Sequence, residues 1–140
     1  MNFMFDGFND IIRLEKGERL GEAMEQLSRE TSVRGGWLNG LGGAQEVTLG
    51  FYDLEKKEYH WQTFTGLREV LSLTGNLARD DNDKFVFHLH GVFGDPQFQT
   101  IGGHVKDLIV GATLEIFLHR TYKPLNRKSD NTTGLHLLDI

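Results

Sequence analysis

The chain has 140 residues, 20 acidic and 15 basic side chains for a formal net charge of −5, 17 glycines and no cysteine. Without cysteine there are no disulfides, no thiol catalysis and no cysteine-ligated zinc, and no apolar run is long enough to cross a bilayer. Length, 39% hydrophobic content and an acidic N-terminus unlike a signal peptide predict one globular domain over residues 1–140, cytoplasmic, with the wrong overall sign for gripping a phosphate backbone.

Residues Met1 to Asp10, with Phe3, Phe5 and Phe8, read as a short strand and turn, and Ile11 to Glu15 as a strand ended by Lys16-Gly17. From about Glu18 to Thr31, Leu20, Ala23, Met24 and Leu27 fall at i, i+3, i+4 and i+7, which predicts one amphipathic helix. Val33 to Ala44 is dense in glycine. It lacks the Lys-Ser/Thr ending of a P-loop and does not open a helix, so it reads as a bent or bulged strand closely approached by another backbone. Val47 to Asp53 is a further strand, Glu55-Lys56-Lys57 a turn, and Tyr59 to Phe64 the return strand.

Arg68 to Leu77 predicts another strand, with Glu69, Leu71 and Leu73 on one face and Val70, Ser72 and Thr74 on the other. On an interior face Glu69 would need a partner. Ala78 to Lys84 is an acidic turn without calcium-loop spacing. Leu108 to His119 reads as a long strand with Leu114, Ile116 and Leu118 opposite Thr113, Glu115, Phe117 and His119. Arg120 to Gly134 is polar and locally basic, and Leu135 to Ile140 is a short edge strand or docked tail. Strands joined by hairpin-length turns around one helix argue an α+β domain on an antiparallel sheet. The surplus of aromatic side chains argues an oligomer.

The chemistry concentrates between Phe85 and His119, which holds four of the six histidines. His88 and His90 share a strand face ~7 Å apart. The chain then turns at Gly94-Asp95-Pro96 and returns through Gly102-Gly103-His104. A reversal centred on Pro96 sets His88 opposite His104 at ~5 Å, within reach of a common ion. Three neutral imidazoles with an open fourth position form a recurrent zinc arrangement. Histidines at such spacing also occur as plain strand residues, and the glycine pair alone is consistent with a bulge.

These segments resemble the plant and prokaryote conserved (PPC) domain family. The resemblance is carried by IIRLEKGE (Ile11 to Glu18), GGWLNGLGGAQEVTLGFYD (Gly35 to Asp53), REVLSLTGN (Arg68 to Asn76), FHLHGVFGD (Phe87 to Asp95), GGHV (Gly102 to Val105) and ATLEIFL (Ala112 to Leu118). It implies an antiparallel sheet of about seven strands flanked by one main helix, a homotrimer, and a divalent-metal site at His88, His90 and His104. Prokaryotic members of the family are described as predicted DNA-binding proteins, and plant members add a basic AT-hook. No Arg-Gly-Arg-Pro occurs here.

Three functions follow as expectations. The first is a trimeric binding or regulatory module with a zinc-type ion and a small-molecule ligand. The second is a DNA-binding protein using Arg120, Lys123, Arg127 and Lys128. The third is a metal-dependent hydrolase or lyase with Glu69 or Glu115 as general base. The first ranks highest, because no second catalytic element accompanies the histidines.

Overall fold

The computed structural model describes residues 1–140. Strands β1 (Asn2–Phe5) and β2 (Asn9–Glu15) lead into helix α1 (Leu20–Glu30). Four long strands follow: β3 (Gly36–Asp53), β4 (Glu58–Arg79), β5 (Phe85–Gly94) and β6 (Thr100–Arg120). A separate hairpin, β7 (Arg127–Ser129) with β8 (His136–Leu138), ends the chain. The main sheet runs β1-β2-β6-β3-β4-β5, antiparallel throughout. The start of β6 also pairs with β5, so β3, β4, β5 and β6 close on one another.

The expected α+β architecture with one helix is present, but the strands number six in the main sheet and two in the hairpin, not about seven. The difference has a local cause. Segments that read as separate strands are continuous, 18 residues in β3 and 22 in β4. Bulges at Gly40/Gly42 and Ala44/Glu46 bend the chain without breaking its ladder. Another bulge, at Val70/Ser72, breaks the expected alternation: Val70 and Leu73 are buried, while Leu71 is 56% exposed. Glu69 is exposed as well, and needs no buried partner.

One apolar cluster of 22 residues unites the inner sheet face with Leu20, Ala23, Met24 and Leu27 of the helix. The helix start is held from β6. Asp107 accepts from the Gly21 amide at 3.0 Å and from Arg19 at 2.9 Å, replacing a local side-chain cap. The opposite sheet face leaves Met4, Trp37, Leu41 and Phe117 about half exposed. Registers Trp37↔His119, Asn39↔Phe117 and Met4↔Ile11↔Phe117 put these side chains side by side.

The glycine-dense stretch is a close backbone crossing. At Gly42, with φ +152°, a Cβ would lie 2.1 Å from the Thr113 carbonyl oxygen, whereas at Gly43 the nearest atom would be 3.7 Å away. Gly42→Ala is therefore expected to cost on the order of 3 kcal/mol, and Gly43→Ala less than about 1 kcal/mol. Urea denaturation of the two variants checks this; equal costs would remove the close-approach explanation.

Candidate metal centre and ligand pocket

The histidines sit where β5 meets the start of β6, on the sheet face opposite the core. Register runs Trp37↔Asn76↔His88 and Asn39↔Thr74↔His90, and His90 lies directly opposite His104. The expected partner of His104 was His88. The reversal is centred one residue later, on Gln97, with Phe98 taking up a left-handed turn (φ 60°), so the pairing slips by two residues. A two-residue slip keeps every side chain on its face. The three rings still meet.

Ring centroids are separated by 5.1 Å for His88–His90, 5.1 Å for His88–His104 and 5.4 Å for His90–His104. One nitrogen from each ring lies within 4.8 Å of the others. His88 Nε2 and His90 Nε2 are 3.2 Å apart. Four-coordinate zinc with bonds of ~2.0–2.1 Å places its ligand atoms ~3.3 Å apart, so one edge is already at that spacing and small ring rotations supply the rest. His104 Nδ1 is buried with no hydrogen-bond partner. Three converging imidazole donors and an unsatisfied buried ring atom both fit a divalent ion.

Burial, then the neighbouring His88, His90 and Arg127, pulls the His104 pKa down from 6.5 to about 4. Burial, then Arg127 and His90, lowers that of His88. In the metal-free protein the unfolded chain protonates His104 as pH falls through 6.5, and the folded chain does so only near 4; His88, lowered in the same direction, adds to the effect. Stability should therefore decline between those values and level off below them. Urea midpoints of EDTA-treated protein across this range test the slope, which His104→Ala should flatten.

Beside the histidines lies a cavity of about 620 Å³, bounded by His88, His104, Tyr59, Trp61, Arg127 and the β8 hairpin. Tyr59 stacks on Trp61 at 4.5 Å and lies 4.9 Å from the His104 ring. Gly50 makes this possible: a Cβ there would sit 2.5 Å from the Trp61 ring. Trp61 read as an ordinary strand residue in the sequence, and nothing in its spacing links it to His104. Nor did composition reveal Arg127, which the polar 120–134 segment places at 6% exposure.

The two carboxylates considered as bases are not brought to this site. Glu69 lies opposite Gly94, four residues along β5 from His90. Glu115 lies opposite Leu41, eleven residues along β6 from His104, on the order of 35 Å of strand. The basic stretch is also divided. Arg120 is paired with Asp10, Arg127 is buried, and Lys128 lies 3.5 Å from Asp139, leaving Lys123 as its unpaired exposed cation.

A partly closed antiparallel sheet with one helix and a three-histidine cluster on its outer face defines the class. Residues 7–121 match the Plants and Prokaryotes Conserved (PCC) domain, and the chain belongs to that family. Among solved structures it is similar to a "putative DNA binding protein" from Bacteroides thetaiotaomicron, 25% identical with TM-score 0.92, covering 99% of this chain and 96% of that one. A "putative DNA-binding protein" from Ralstonia eutropha is 29% identical, with TM-score 0.91 and coverage of 99% and 95%. A metal-containing protein from Archaeoglobus fulgidus is 29% identical, with TM-score 0.86 and coverage of 100% and 99%. No curated protein matches the chain significantly. No helix is long and apolar enough to cross a membrane.

Proposed function

We propose that this chain is a metal-centred binding module. His88, His90 and His104 would hold a divalent ion, zinc by the chemistry of the donor set, at the edge of a pocket that receives a small molecule. The observation that carries this reading is the convergence of three imidazoles within 4.8 Å. A bound zinc would supply Lewis acidity to a ligand atom in its open position. The chain's own residues bring the three rings together on β5 and β6, pack Tyr59 and Trp61 beside His104, and bound the pocket with the hairpin. The metal-containing relative from Archaeoglobus fulgidus supports the reading. Elemental analysis of the purified protein tests it: about one zinc per chain is expected, with loss of most of it in His90→Ala and His104→Ala. A protein free of metal after purification and after zinc addition would end it.

The exposed row of Met4, Trp37, Leu41 and Phe117 supports assembly, because contiguous apolar surface of this kind marks subunit contacts. The proposed assembly is a homotrimer of 15.9 kDa chains, read out by light scattering. DNA binding is a second reading, favoured by the descriptions of two similar structures. The division of the basic stretch and the net charge of −5 oppose it. Anisotropy with duplex DNA across a salt series decides: an absence of binding at low salt removes it.

A further inference from the structure

Arg127 is a buried cation with no counter-ion in its own chain. Its side chain takes part in none of the ion pairs. Its Nη1 donates to the His136 carbonyl oxygen at 2.6 Å and its Nη2 to Asn76 Oδ1 at 2.7 Å, both neutral acceptors. Its Nε–H has no partner. A guanidinium carries five N–H donors, so more than half of them remain unspent. The other buried ion of the chain, Asp10, shows the usual solution, a two-bond pair with Arg120. A buried charge left unpaired is costly, and here it lines a cavity.

The cavity narrows what could balance it. At about 620 Å³ it lies in the range that takes small organic ligands. Its walls include Tyr59, Trp61, Val86, Phe87, Leu135 and Leu137, which favour an apolar or aromatic body. The lining also holds Lys57, which donates to the Asn131 carbonyl oxygen at 2.7 Å, and Glu58; these two exposed side chains carry opposite charges that offset each other, so Arg127 remains the excess cation. One planar cation fork beside apolar walls suits a single negative charge on a planar acceptor. We infer that the pocket takes a small monocarboxylate with an apolar or aromatic body, its carboxylate on Arg127 and its body between Trp61 and the β7–β8 hairpin. Arg127 and this hairpin lie beyond the residues 7–121 matched by the family, so the segment that would select the ligand is not the one that holds the histidines.

This inference rests on the pocket reading above, but the Arg127 contact does not pass through the ion. The test therefore uses EDTA-treated full-length protein at pH 7.5, titrated calorimetrically with benzoate and with benzyl alcohol, a ring of similar size without the charge. Benzoate is expected to bind at least tenfold more tightly, and Arg127→Gln to abolish that preference while the circular dichroism and thermal midpoint persist. Equal binding of the two probes to the unmodified protein overturns the inference even if the variant fails to fold. A benzoate preference that survives Arg127→Gln overturns it too. Metal content of the untreated protein is measured in parallel. A protein that never holds zinc yet prefers benzoate through Arg127 ends the metal reading and sustains this one; one that holds zinc without that preference does the reverse.

Discussion

EDTA is expected to lower the thermal midpoint of the zinc-loaded protein by about 10 °C, and to leave that of His104→Ala unchanged. An ion that binds the folded chain and not the unfolded one stabilises it by about 2.7 kcal/mol when free zinc is a hundredfold above its dissociation constant. For a chain of this length each kcal/mol moves the midpoint by roughly 3–5 °C, between the figures for smaller and larger domains. His104 is the informative position. It brings the third ring, its Nδ1 is buried without a partner, and Tyr59 and Trp61 pack beside it. Its loss removes the ligand set while the other two rings stay on β5. Should EDTA shift the variant as far as the parent, the stabilising ion sits elsewhere. Should it shift neither, the imidazole cluster holds none.

Arg120→Ala should cost about 3–5 kcal/mol, the largest effect expected from a substitution far from the histidines. The Asp10 side chain is wholly buried, and its two oxygens accept from Arg120 Nη2 at 2.6 Å and Nε at 2.7 Å. Removing the guanidinium strands a carboxylate among apolar neighbours. Asp10→Asn should cost less, because the Arg120 side chain is 23% exposed and its guanidinium lies 4.4 Å from the centre of the Phe5 ring. Chemical denaturation of both variants measures the asymmetry. Equal costs would mean that the pair acts as an exposed one does. A loss below about 1 kcal/mol for Arg120→Ala would say the same.

This pair also explains why the basic segment misleads. In the sequence, Arg120, Lys123, Arg127 and Lys128 look like one cationic patch, because composition sees only proximity along the chain. Folding sends their charges to different places: Arg120 to Asp10, more than a hundred residues away, Arg127 into the interior against Asn76, and Lys128 toward Asp139. Glu69 misleads in a related way, since period-two alternation sets it on one face with Leu71 and Leu73, and the bulge at Val70/Ser72 cancels that alternation, leaving Leu73 buried and Leu71 exposed.

The helix, the antiparallel strands and the face shared by His88 and His90 were readable without coordinates. Each depends on side-chain periodicity over a few neighbouring residues, and that is a property of local backbone geometry. Local turn chemistry at Gly94-Asp95-Pro96 likewise indicated that His104 returns toward that pair. Tertiary structure alone decided that His90, not His88, is its direct neighbour, that β3 and β4 are each one bulged strand, and that Arg127 lies buried beside the rings. Those outcomes turn on where a reversal is centred and on which distant strand or hairpin covers a face. No short-range pattern encodes that, because the energies that settle it come from contacts between residues tens of positions apart.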